Sequence, residues 1–217
     1  MPAALAGHKP ILRRYTDLPS LLHLLEKRSL TLLDPKSWDD TNDSYFVLKY
    51  KEKMGLGTVL ALCLTGADET YHHWRVFSGG SAGVCIHLDQ EALVAELQTR
   101  GGIACRKVTY RKIRGADNRS RPSVPISDLP FLKRWPFAAE EEFRLLYESA
   151  KVLDPFLDVP IPEAAILKVT LSPWLNQRLA KTVKDTIHAV KGWGTLKIVR
   201  STLIGNTEWK RIGDSAT

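Results

Sequence analysis

The sequence predicts a mixed α+β fold in a single domain spanning 1–217. Three observations predict it. Apolar runs of strand length are intermixed with helical stripes, without the strict order of a βαβ fold. No glycine-rich phosphate fingerprint follows the first strand. The 217 residues, 44% hydrophobic and 25% charged, suffice for one core and exclude a disordered chain.

The elements follow in order. ILRRYT (11–16) is a short strand, and Thr16 or Asp17 caps a helix that begins near Pro19. Leu18, Leu21, Leu22 and Leu25 give that helix its apolar stripe. SLTLLD (29–34) is a strand, and PKSWDDTNDS (35–44) is a loop dense in turn formers. TVLALCLT (58–65), bounded by Gly57 and Gly66, is a buried central strand. YHHWRVF forms a short helix leading into the turn SGGSAG. VCIHLD (84–89) is a strand, QEALVAELQTR (90–100) a helix, and IACRKVTYR (103–111) a basic strand followed by a loop through Pro130. AAILKVTL (164–171) is a strand. A helix then opens with Pro173 in its first turn and stops at Gly192 and Gly194, before a last strand over 196–202.

Composition narrows the class. No run approaches the ~20 apolar residues that a membrane span needs, and the first residues lack the apolar core of a signal peptide. Cys63, Cys85 and Cys105 have neither zinc-site nor disulfide-framework spacing, so buried free thiols in a reducing cytoplasm are expected. The net charge of +7 is localised: residues 100–121 hold eight basic residues and one acidic one, leaving 23 of each sign elsewhere. Such a surplus suits a polyanion, through Arg106, Lys107, Arg111, Lys112 and Arg114, and it equally suits a solvated basic loop.

Residues 138–147, AAEEEFRLLY, admit two structures. In a helix, Phe143, Leu146, Tyr147 and Ala150 share a face, with glutamates in the first turn where the helix dipole favours them. In a strand, Glu140, Glu142, Arg144 and Leu146 share a face, and two carboxylates lie beside a guanidinium. Carboxylates so placed push their pKa values apart, as acid–base chemistry requires. On local pattern alone the helix has the edge. The adjacent His72 and His73 lack a third ligand at metal spacing, and DDTND (39–43) is an aspartate-rich turn making its own hydrogen bonds.

Four blocks resemble a widespread prokaryotic family known only as a domain of unknown function: RRYTDLPSLLHLLEKRSLTL, WDDTND (38–43), WRVFSGGSAGVCIHLD (74–89) and Trp135 to Arg144. Asp39, Thr41 and Phe77 depart from that family's pattern, whereas Trp38 and Asp40 keep it. More distantly, ILRRYTDLPSLLHLLEKRSL is similar to the start of ADP-ribosyltransferases, particularly the DNA-modifying toxins of toxin–antitoxin pairs. That resemblance implies a split, mixed β-core, with NAD as co-substrate, Arg14, Tyr15 and Thr16 on the first strand, and Glu140 and Glu142 on a Glu-x-Glu strand. It implies a catalytic set of Glu142, Glu140 and Arg14. Tyr15, Thr16, Trp38, Asp40, Ser78 and Ser81 join Arg14 as cofactor-binding candidates, although FSGGS lacks the usual Ser-Thr-Ser form. It also implies a nucleic acid or other macromolecule as acceptor, a toxin or phage-defence setting, and an antitoxin or immunity partner. A non-catalytic nucleic-acid-binding module and an NAD glycohydrolase remain the alternatives.

Overall fold

The computed structural model describes residues 9–112 and 123–216. In chain order the elements are β1 (Ile11–Asp17), α1 (Leu18–Lys27), β2 (Ser29–Leu33), α2 (Thr41–Lys53), β3 (Thr58–Thr65), α3 (Tyr71–Phe77), β4 (Gly83–Asp89), α4 (Gln90–Gln98) and β5 (Ile103–Lys107). Then come β6 (Thr109–Arg111), β7 (Leu132–Arg134), β8 (Glu142–Ser149), β9 (Phe156–Pro160), β10 (Ile166–Leu171), α5 (Gln177–Ala189), β11 (Ile198–Arg200) and α6 (Thr207–Asp214). Helices and a mixed sheet make the fold α+β. The chain alternates between two compact units: Met1–Leu12, Arg28–Ala67 and Asp89–Ala165 form the first, and Arg13–Lys27, Asp68–Leu88 and Ile166–Thr217 the second.

In the first unit an antiparallel sheet runs β5-β8-β3-β2-β9. β3 pairs with β8 along its whole length, from Thr58↔Ser149 to Thr65↔Glu142. Its apolar run is what a strand buried on both faces requires. On the face of Val59, Ala61 and Leu146, α2 and the 3-10 turn Ile126–Phe131 supply Val47, Tyr50 and Phe131, closing one hydrophobic cluster. Only glycine fits at position 57, because a Cβ there would collide with the Lys151 backbone. A separate two-stranded parallel ribbon joins β6 to β7.

In the second unit the order is β11-β10-β4-β1, with β10 antiparallel to β4 and parallel to β11. Tyr15, Trp74 and Cys85 pack together there against Trp174. Asp17 caps α1 by accepting the Ser20 N–H at 2.8 Å.

Four expectations are corrected. Residues 103–111 are two strands broken at Val108, whose N–H bonds to the Glu142 carbonyl at the end of the β5–β8 ladder before β6 turns to pair with β7. The loop 35–44 ends in the first turn of α2, where Asp40 accepts the N–H groups of Asn42 and Asp43. α5 opens at Gln177 with Asn176 as its cap, four residues past Pro173. Of the three cysteines, Cys85 is buried, Cys105 is half-buried and Cys63 is exposed.

Candidate active site

The stretch 138–147 is not a helix. Trp135–Glu140 is a 3-10 turn, Glu141 takes a left-handed conformation (φ 42°), and β8 starts at Glu142. Glu140 therefore precedes the strand, a correction to its expected place on it. Left-handed backbone at a non-glycine residue is strained. Here it joins a turn to a strand, and the carboxylates on either side of it converge on one ammonium. Lys133 Nζ lies 2.7 Å from Glu140 Oε2 and 3.2 Å from Glu142 Oε2.

Strand alternation puts Arg144 on the face of Glu142, and its Nε donates to Glu142 Oε1 at 2.7 Å. The rest of the guanidinium forks onto Asp43, Nη1 to Oδ1 at 3.0 Å and Nη2 to Oδ2 at 2.7 Å, while Nη1 also donates to the Pro130 carbonyl. Arg144 is 0% exposed, so these bonds replace its hydration. Trp38 covers the guanidinium, with its ring centroid 4.6 Å away, and Phe137 lies 4.9 Å from Lys133 Nζ. The main chain of Glu142 is held as well: its N–H donates to Tyr110 Oη at 2.8 Å, and its carbonyl accepts from Val108.

The cluster thus holds Asp43, Glu140 and Glu142 against Lys133 and Arg144, all nearly buried. Two cations cannot neutralise three carboxylates in a dry space, and the acids divide accordingly. Burial raises the pKa of Glu140 more than Lys133 lowers it. Burial likewise outweighs the Arg144 fork at Asp43 and raises its pKa. At Glu142 burial is overcome by Arg144 and then Lys133, so its pKa is lowered. Cys63 is opposite Arg144 in the β3–β8 ladder and hydrogen-bonds Glu142. Cys63 is exposed as a residue, while burial of its sulfur, and then the charge of Glu142, push the thiol well above its ordinary range.

Of the residues singled out from sequence, the structure gathers Glu140, Glu142 and Trp38 here, and Asp40 caps the helix that delivers Asp43. Arg14, Tyr15, Thr16, Ser78 and Ser81 belong to the second unit. Arg14 is half-buried, and its charge lowers the Asp17 pKa after the Ser20 bonds do. Tyr15 is buried, stacked on His73 at 5.3 Å and edge-on to Trp74 at 5.1 Å. Thr16 is half-buried. Ser78 Oγ donates to the Trp74 carbonyl at 2.6 Å. Ser81 is exposed and lines an apolar cavity of about 310 Å³ with Leu18, Val84, Leu171 and Leu179.

Arg106, Lys107, Arg111 and Lys112 are exposed, and Arg114 lies outside the described residues. Among the described residues, Arg106 alone of these pairs with an acid, Asp128 at 2.9 Å, and it also covers the Phe131 ring. Sequence reasoning missed Lys133 and Asp43. Lys133 belongs to a three-residue strand too short for any periodicity, and Asp43 was hidden in an aspartate-rich turn.

No family model and no curated protein matches the sequence. Among solved structures the chain is similar to Thermus sp. 2.9 DarT in complex with ADP-ribosylated ssDNA (9% identity, TM-score 0.47, covering 90% of this chain and 95% of that one). It is also similar to the same organism's DarT in complex with NAD+ (10% identity, TM-score 0.42, covering 90% and 96%). No helix of the described residues is long and apolar enough to cross a membrane.

Proposed function

We propose that this protein cleaves the nicotinamide–ribose bond of NAD and transfers ADP-ribose to a nucleic acid or another macromolecule. One observation carries the proposal. Glu140 and Glu142 share the Lys133 ammonium, while their surroundings push their pKa values in opposite directions. Such a division is how two carboxylates take different roles. Glu142, kept ionised, stabilises the positive charge that builds on the ribose as the bond breaks. Glu140, with its pKa raised by burial, takes the proton from the acceptor.

Arg14 enters as the candidate for holding the NAD diphosphate. Tyr15, Thr16, Trp38, Asp40, Ser78 and Ser81 are the remaining candidates for contacts to NAD. The exposed cations of 106–112 supply attraction for a polyanionic acceptor. A toxin or defence role with a neutralising partner is consistent with such chemistry, since ADP-ribosylation of nucleic acid would arrest its host.

Incubation with adenylate-labelled NAD and cell lysate tests the proposal. Wild-type protein is expected to label a macromolecule, and Glu142→Gln to lose at least ~100-fold in rate, the scale of removing one preorganised charge. Glu140→Gln should lose transfer while still releasing nicotinamide, and Arg14→Gln should raise the KM for NAD. Nicotinamide release without labelling in the wild type would assign glycohydrolase activity instead. No NAD turnover at all, in protein that is folded, would leave a binding module.

A further inference from the structure

The ribbon of β6 and β7 has two faces with different company. In its register Tyr110 pairs with Lys133 and Arg111 with Arg134. Tyr110 and Lys133 point inward, to the backbone and carboxylate of Glu142. Arg111 and Arg134 are exposed, and so are the residues just past the end of each strand, Lys112 and Trp135. Lys112 Nζ stands 4.7 Å from the Trp135 ring centroid, yet the indole remains 50% exposed.

Like charges directly across a ladder are destabilising. Among the described residues, Arg111, Lys112 and Arg134 pair with no carboxylate, whereas Arg106 on β5 has Asp128. A half-open indole adds a second unfavourable feature, an aromatic face left against water. An anion bridging the two guanidiniums, attached to a flat apolar ring, would relieve both.

We propose that the outward face of this ribbon seats single-stranded nucleic acid, one base stacking on Trp135 and the adjoining phosphates lying between Arg111, Arg134 and Lys112. The strand must be unpaired at that point, because a base inside a duplex has no free face to offer an indole. Arginines give planar, bidentate contacts to phosphate. The ribbon therefore docks the polymer on one side while its other side positions Glu142. The inference rests on the proposed transferase activity only for what the docking serves, since binding itself needs no NAD.

The test is fluorescence anisotropy, without NAD, on a labelled mixed-sequence DNA oligonucleotide, the RNA of the same sequence, and the DNA duplex. Single strands should bind more tightly than duplex. Trp135→Ala should weaken single-strand binding about tenfold and leave duplex binding nearly unchanged, while Trp135→Phe keeps most of the affinity. The double variant Arg111→Gln/Arg134→Gln should flatten the log–log salt dependence by about 1.4, two phosphates' worth of released counterions. If Trp135→Ala fails to fold, the Phe variant and the arginine pair decide. Wild-type protein that ignores single strands, an unaltered affinity in folded Trp135→Ala, or a duplex that binds equally well and is equally sensitive to Trp135→Ala would each overturn the proposal. Such a failure would leave NAD cleavage standing, and loss of transfer in Glu142→Gln with oligonucleotide binding intact separates the two.

Discussion

Arg144 is the residue on which the first unit's charged cluster turns. Its guanidinium meets Glu142, Asp43 and the Pro130 carbonyl with no exposed surface. Removing it would strand two buried carboxylates, so Arg144→Leu is expected to cost about 3–5 kcal/mol of stability in urea denaturation. Adding Asp43→Asn to that variant should recover part of the loss, because one stranded charge goes with it. An additive double variant would show that the fork is not the stabilising contact. Glu140 gives a pH signature. Its pKa is raised in the folded state, so the native protein binds its proton more tightly than the unfolded chain does. Stability from this group is then greatest at low pH, and is lost as pH rises from the ordinary glutamate value through the raised one. Glu142 has the opposite sign: its contribution is present above the ordinary value and lost as pH falls through the lowered one.

At the scale of elements, β4 carries a second buried ionisable group, His87, whose Nε2 lies 2.9 Å from Thr170 Oγ1 on β10. Burial, then the charges of Lys168 and Arg13, lowers its pKa from 6.5 to about 3. The unfolded chain therefore binds a proton that the folded one refuses. His87 should make stability fall by about 1.4 kcal/mol per pH unit as pH drops from 6.5 toward 3. Urea denaturation across that range should show the slope in the wild type and a flatter one in His87→Gln; identical slopes would count against a buried neutral imidazole. The elements also show what the sequence could and could not reveal. β3 was legible because its run from Val59 to Leu64 is apolar throughout and the strand is bounded by glycines, a pattern that leaves few choices. β8 was ambiguous because Phe143, Leu146 and Tyr147 make a helical stripe while Phe143, Leu145 and Tyr147 make a strand face. Pairing with β3 decided it, and no local pattern encodes that partner. α2 escaped because its buried face opens with Asp43 and Ser44, polar residues bound for the ion cluster rather than an apolar stripe. α6 escaped because none of its residues is buried. At the site, Glu142 and Arg144 were visible as a pair, while Lys133 joins them only through the turn made by Glu141.

For the whole molecule, the question is whether the two units melt together. Neither unit is one continuous stretch of chain: α1 belongs to the second, although the segments before and after it belong to the first. Two strands are divided as well. β1 starts in the first unit at Ile11 and Leu12 and continues in the second, while β4 runs through the second and ends in the first at Asp89. A strand is stabilised by its ladder, and fraying it midway leaves backbone groups without partners. Melting either unit alone would also leave its two internal segments as loops closed at both ends, which recovers only part of the chain entropy that unfolding should release. We therefore propose that residues 1–217 behave as one cooperative domain. Calorimetry should show a single transition with equal calorimetric and van't Hoff enthalpies. Fragments cut within the 68–88 segment should not fold alone, since they would sever β4 or α3 from the rest of the second unit. Two resolved transitions, with far-UV and tryptophan signals melting at different temperatures, would establish independent domains and refute the proposal.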